Sequence, residues 1–343
     1  MKQIAFLMHK SFQGRFRVKE FIPFFKKHGV KVELVRVSEN IFSRYRNFKR
    51  LSDFDMVIVQ RKLLSPIDLI FVRHFAKKMV FDFDDSIMYR SSRHKNHHSW
   101  SKMKKFKTMM ITVDGVIAGN TYLKNEASRF ISPEKIYVIP TIVDLKEYSI
   151  KNYGPTKKDF IIGWIGTSGN LHYLKSIAPA LEKLNKKYEN IKLKIVCDRF
   201  FDLDNIEVIK KIWRPEDVEE DLKSFDVGVM PIDDDLWTRG KCGLKVVQYL
   251  AAGVPAVVSP VGLNRNLAMP GKTGLWADDI DDWTDKISEL VDHPDKRMKM
   301  GLAGRKLVEE KYSLQAQAPR YLAILRKITS GDIDINQKQT SFQ

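Results

Sequence analysis

Two lysines, Lys241 and Lys245, lie four residues apart in "RGKCGLKVVQYLAAGVPAVVSPVG" (Arg239–Gly262), interleaved with Gly240 and Gly243 and followed by an amide, Gln248. A helix opening at such a glycine turn offers unpaired backbone N–H groups and the positive end of its dipole. The glycines let the backbone approach a ligand closely, and side chains one turn apart share a face. Cations fixed there stabilise a group that gains negative charge as its bond breaks, more in the transition state than in the ground state. The chemistry this suits is the departure of a diphosphate. A merely solvated lysine pair has the same spacing, but the "AAGVP" turn that follows favours the functional reading.

Two more stretches could work on small polar ligands. In "WIGTSGNLHYL", Gly166, Thr167, Ser168, Gly169 and Asn170 form a small polar turn between an apolar run and a helical one, able to cradle an oxyanion through backbone N–H groups. In "FDFDDSIMY", Asp84 and Asp85 close an apolar strand. Carboxylates there can orient a hydroxyl or hold a sugar, or one of them can cap the next segment. One cleft-facing and one structural carboxylate are expected. "HKNHH" (His94–His98) could bind a metal, but it lies in a basic polar loop and reads as surface; no metal is expected to be required.

The elements that must position these residues alternate strand with helix, twice over. "QIAFLMH", "VKVELVRV", "FDMVIVQR", "KMVFDFDD", "VDGVIAGN" and "IYVIPT" read as strands of a first parallel sheet, with helices such as "RVKEFIPFFKKHG" and "IDLIFVRHFAKK" between them. "IKNYGPTKKD" (150–159) interrupts the pattern as a linker. It then restarts with the strands "FIIGWIG", "IKLKIVCD", "DVGVMPI" and "PAVVSP", the helices "LHYLKSIAPALEKLNKKY", "PEDVEEDLKSF" and "CGLKVVQYLAAG", and a helical end. The expected fold is α/β: two Rossmann-like, doubly wound parallel-sheet domains, 1–150 and 151–329, facing a cleft at the carboxyl ends of their strands. The last helix is a candidate to pack back on the first domain, and 330–343 reads as a disordered tail.

Charge is unevenly placed. Residues 1–150 carry 29 Lys and Arg against 14 Asp and Glu, a net of +15, out of +17 for the chain of 343 residues. Such a field draws anionic partners: lipid surfaces, nucleic acid or a diphosphate-bearing substrate. In "HKSFQGRFRVKEFIPFFKK", Lys10, Phe12, Arg15, Phe16 and Arg17 open a basic, aromatic segment able to lie on an anionic membrane, although about half of its phenylalanines must serve the core. "YRSSRHKNHHSWSKMKKFK" (Tyr89–Lys107) adds a second basic loop. Nucleic-acid binding would use the same charge, but no base-reading aromatic motif accompanies it. Two distant cysteines, the lack of an uncharged run of about 20 residues and the charges after the first apolar run fit a cytoplasmic protein that does not cross a membrane.

The run "GLKVVQYLAAGVPAVVSPVGLN", with "GKTGLW", "ADDIDDWTDKISELVDHP", "RMKMGLAGRKLVEEKYSL" and "APRYLAIL", resembles the carboxyl-terminal half of retaining GT-B glycosyltransferases of family four (glycosyl transferases group 1). In the first half only the strand order and "YVIPTIVDLKEY" match. The resemblance implies a hexosyltransferase-type enzyme moving a sugar from a nucleotide-diphosphate donor to a glycan or lipid-linked acceptor, in cell-envelope polysaccharide or lipopolysaccharide synthesis, peripheral on the inner face of the plasma membrane. It implies no cofactor beyond the donor, and the first domain as the acceptor side.

Within that resemblance two glutamates are usual around the donor helix, and they map onto Gly240 and Gln248. Gln248 can still hydrogen-bond ribose hydroxyls, while Asp233–Asp235 either replaces the sugar-binding carboxylate or is a solvated loop. The Arg and Lys usual after the "FIIGWIG" strand are missing, so Lys241 and Lys245 would take over their role. Asp84 falls closest to a histidine usual in the first domain. Trp213 lies in the region that supplies the base pocket, suited either to stack on a base or to pack the core. Two other readings are a nucleotide-sugar 2-epimerase, whose carboxylates and histidine find no counterpart, and a degenerate scaffold subunit binding an anionic membrane.

Overall fold

The computed structural model describes residues 1–8, 14–38, 40–154 and 159–331. Lys10 and Phe12 lie outside the described residues, as does the tail from 332. The chain forms two compact units: residues 1–89 with 98–140 and the end from Ala318, and residues 90–97 with 141–317.

The first unit is built on β1 (Gln3–Met8), β2 (Lys31–Arg36), β3 (Met56–Gln60), β4 (Met79–Phe83), β5 (Gly115–Ala118) and β6 (Ile136–Val138), all parallel in the order β2-β1-β3-β4-β5-β6. β3 and β4 are buried along their whole length, which is why they read as continuous apolar runs. In the second unit β7 (Phe160–Ile165), β8 (Ile191–Cys197), β9 (Glu207–Ile212), β10 (Val227–Met230), β11 (Ala256–Val258) and β12 (Gly274–Trp276) form a parallel sheet in the order β12-β11-β10-β7-β8-β9. Trp164, Leu193, Ile195, Val229 and Val257 fill its core.

The doubly wound α/β fold expected from the sequence is thus present twice, with two strands added. β9 is an edge strand whose lysines stay partly exposed, so its apolar signal is weak. β12 has three residues. The single helix expected over Leu171–Tyr188 is two, Leu171–Ser176 and Ala178–Lys187, because Pro179 cannot donate to a continuous ladder.

One buried ion pair ties the first unit together. Arg17 lies against Asp82 of β4, with Nη2 at 2.7 Å from Oδ2 and Nε at 3.2 Å from Oδ1. Arg17 also donates to the Ile139 carbonyl, and the Tyr321 hydroxyl donates to Asp82 at 3.2 Å. Tyr321 in turn packs edge-on against Phe21 and Phe25. Burial pushes the Asp82 carboxyl up against the pull of Arg17, so the carboxylate depends on its partner. This corrects the placing of Arg17 on a surface segment: it is 1% exposed, and Phe21 and Phe25 belong to the core. Arg15 pairs with Glu20 at 3.1 Å and stacks on a half-buried Phe16.

Removing one partner of a buried pair strands the other's charge. Arg17→Met should therefore destabilise the first unit by about 3–5 kcal/mol, read as an earlier denaturant transition. Adding Asp82→Asn, which keeps the acceptor for Tyr321, should recover part of that loss; no recovery would show that the charge is not the cause.

Candidate functional site

In the second unit the chain leaves β7 at Ile165 and enters a site built around one lysine. Lys245 Nζ lies 4.0 Å from the centre of the Trp164 ring, and Trp164 is fully buried. Gly166 closes the strand with its N–H on the Val196 carbonyl at 3.0 Å. A Cβ at Gly166 would fall 2.7 Å from Lys245 Nζ and 2.7 Å from the indole, so only glycine leaves room for the ammonium. The Lys245 side chain is partly buried, with its ammonium packed between the Trp164 ring and the Gly166 backbone. Burial first, and then repulsion from Lys241, push its pKa down to about 7.

Lys241 and Lys245 are brought together, but not on one helix face. The helix runs Leu244–Ala251, and its N-cap Gly243 has φ +62°, where a Cβ would strike Leu267. Lys241 therefore stands in extended backbone after the tight turn Thr238–Gly240, with Nζ 6.0 Å from the Tyr173 and Trp237 rings. The reason is local: a left-handed residue between the two lysines stops the helix from reaching back to the first.

The turn after β7 differs from the expected oxyanion cradle. Ser168 N and Oγ each donate to Asp198 at 2.7 Å, and Asn170 N donates to the Thr167 carbonyl at 2.9 Å. With Gly166 N also bonded, the backbone donors of Gly166, Ser168 and Asn170 are committed inside the protein. The Ser168 hydroxyl and N–H hold the Asp198 carboxyl down to about 2. Asp198 follows β8 directly, a position the sequence reading passed over. Trp213 follows β9, half-buried, with its N–H on the Cys197 carbonyl at 3.2 Å, beside that same strand end.

Gln248 is 6% exposed, and its Nε2 donates to the Tyr148 hydroxyl at 3.0 Å, so its amide N–H is engaged within the unit. Gly240 is buried at the end of its turn. In the acidic loop Asp235 accepts from Trp237 N and Thr238 N at 2.7 and 2.8 Å, and Asp234 pairs with Arg239. Only Asp233 keeps an exposed carboxylate not given to shaping the loop.

A segment from the middle of the first half completes this unit. Residues 90–97 are closed by Arg90 N on the His97 carbonyl at 2.8 Å. Tyr173 donates to Ser92 Oγ at 2.5 Å, and Arg93 Nη2 donates to the Gly169 carbonyl at 3.0 Å. The basic loop assigned by sequence to the acceptor side thus gives Arg93 to the turn after β7, where no cation was legible.

In the first unit Asp84 and Asp85 follow β4 and meet Arg61, the residue after β3. Arg61 Nη2 contacts Asp85, and its Nε lies 3.8 Å from Asp84. Arg61 is the one non-glycine among the described residues with positive φ, at 60°, pinned by its N–H on the Asp82 carbonyl at 2.7 Å. Beside it the Gln60 amide nitrogen, one Asp84 oxygen and the Ser86 hydroxyl are buried without a hydrogen-bond partner. The signal for Arg61 was present in "FDMVIVQR": a cation closing the strand next to a paired aspartate. Among the described residues, no three His, Cys, Asp or Glu side chains converge to hold a metal.

Residues 159–293 match the family described as glycosyl transferases group 1. No curated protein matches the sequence. Among solved structures the chain is similar to a sucrose-phosphate synthase from Thermosynechococcus elongatus, with a TM-score of 0.74 and 13% identity over 97% of this chain and 100% of that one. A glycosyltransferase from Rickettsia africae gives 0.74 and 15% over 96% and 99%. Anabaena HepE in complex with UDP and glucose gives 0.73 and 11% over 95% and 100%. The fold is GT-B, and the second unit carries a group 1 glycosyltransferase segment.

Amine labelling read by mass spectrometry should find Lys245 half-reactive near pH 7. Lys241→Met should move that midpoint up by removing the repulsion. A Lys245 midpoint near the ordinary lysine value of about 10.4 would contradict the desolvated site.

Proposed function

We propose that this chain, a GT-B glycosyltransferase with a group 1 donor unit, moves a sugar from a nucleoside-diphosphate donor to a glycan or lipid-linked acceptor at an anionic membrane surface, with retention at the anomeric carbon. The observation that carries this reading is Lys245: a desolvated ammonium facing a second lysine, which a diphosphate would relieve of both penalties. As the bond from the anomeric carbon to the phosphate oxygen breaks, charge grows on the departing nucleoside diphosphate, and Lys241 and Lys245 stabilise it. Arg93, at the Gly169 turn, adds a third cation to the same unit. These side chains supply the positive charge that a metal would otherwise bring, so we assign no metal to the reaction.

On the acceptor side, Asp84 and Asp85, held by Arg61, are the groups we assign to orienting the attacking hydroxyl. In transfer with retention that hydroxyl attacks from the face the diphosphate leaves, and its proton passes to the leaving phosphate oxygen. One structural neighbour holds UDP and glucose, which makes UDP-glucose the first donor to try. Among the described residues no helix is long and apolar enough to cross a membrane.

Turnover of a nucleotide-sugar panel tests the reading, with UDP-glucose first. Only the protonated Lys245 binds a diphosphate, so kcat/KM should be highest below a pKa of about 7 and fall as pH rises through it. Lys245→Met should lose roughly 10²–10³-fold in kcat and with it the alkaline limb, while EDTA should leave the wild type unchanged. A variant that keeps full turnover, or loss in EDTA restored by a divalent ion, would overturn the assignment.

A further inference from the structure

Of the segment expected to meet a membrane, Arg17 is buried and Arg15 is paired with Glu20, while Lys10 and Phe12 lie outside the described residues. Another face of the first unit is suited to meeting one. The connections β2 to β3, β3 to β4 and β4 to β5 all step the same way along the sheet. Right-handed crossovers therefore lay their helices, Ile41–Lys49, Pro66–Phe75 and Trp100–Thr112, on one side of it. The Tyr45 ring meets Phe71 at 5.5 Å and Phe75 at 6.0 Å, joining the first two helices, and the second packs on the third.

Each helix turns one apolar set inward: Phe48 on the first, Leu69 and Val72 on the second, Phe106, Met109 and Met110 on the third. Each also carries large apolar side chains outward that the fold does not need. Phe42 is 83% exposed, Ile67 65%, Ile70 68%, Trp100 77% and Ile111 65%. Burying them in a partner is the usual reason for such a patch.

Charge says which partner. The three helices hold eight Lys and Arg and a single acid, Asp68, which is buried and paired with Arg44 at 3.1 Å. Arg46, Lys49, Lys104, Lys105 and Lys107 stand exposed among the apolar side chains, and Lys104 lies 4.9 Å over the Trp100 ring. Apolar groups to enter an acyl boundary, an aromatic at its level and a ring of cations of one sign are what an anionic bilayer binds. A nucleic acid would use the cations but give the isoleucines nothing.

We propose that the outer face of these three helices is the surface by which the first unit docks on an anionic lipid bilayer. It rests on the membrane part of the function proposed above and not on the chemistry of transfer.

The test is flotation of the full chain with phosphatidylcholine vesicles, with and without phosphatidylglycerol. Wild type should float only with the anionic lipid and be released by salt. Lys104→Gln/Lys105→Gln/Lys107→Gln should weaken binding by roughly fivefold per charge removed. Phe42→Ser/Ile67→Ser/Ile70→Ser should weaken binding even at low salt. Both variants should keep the melting temperature and the wild-type thermal shift with UDP-glucose. Wild type that does not float, variants that float as well as wild type, or tighter binding of an oligonucleotide than of vesicles would each overturn the docking face. Loss of turnover with flotation intact would sink the transfer reading alone.

Discussion

An ammonium pressed against a buried indole, partly withdrawn from water and repelled by a second lysine, is a costly arrangement for a fold to keep. Much of the second unit is arranged around it. β7 brings Trp164 into the core and is followed by Gly166, where a Cβ would lie 2.7 Å from Lys245 Nζ and displace it. The left-handed Gly243 makes the helix begin at Leu244, one residue before Lys245, so Lys241 approaches from extended backbone outside it. Ser168 and Asp198 fix the neighbouring turn. Burial and the repulsion between the two lysines both oppose the charge on Lys245, and the diphosphate proposed as its ligand would relieve both.

The first unit shows how burial divides the carboxylates on and just after one strand. Asp82 lies inside β4, needs Arg17 to stay charged and serves the fold. Asp84 and Asp85 stand just past the strand end, partly exposed, and share an arginine whose own backbone is strained. Strain held at a strand terminus, beside the unpartnered Gln60 amide nitrogen and Ser86 hydroxyl, is what supports the acceptor-orienting role proposed for this pair. A two-residue step along a strand separates the two fates.

How much of this could be read in the sequence follows from the physics of each feature. Buried parallel strands announce themselves as apolar runs, so both sheets were legible; β9 and β12, one edge-exposed and one three residues long, were not. The pairing of Gly166 with Lys245 links positions about eighty residues apart and exists only in three dimensions. Arg17 was misplaced because its sequence neighbours are basic and aromatic, while its partner Asp82 lies in another strand. Residues 90–97 sit in first-half sequence but belong by packing to the second unit, which hid Arg93 from any reading of the turn after β7. Gly240, Gln248 and Trp213 were found by position, and packing then gave them buried or half-buried settings.

The central claim is that Lys245 waits, largely uncharged above neutral pH, for a diphosphate. Calorimetry of UDP binding at a pH above 7, repeated in buffers of different ionisation enthalpy, tests this most directly. The account predicts uptake of close to one proton per UDP in the wild type and none in Lys245→Met. Binding with no proton uptake, or the same uptake in the variant, would contradict it.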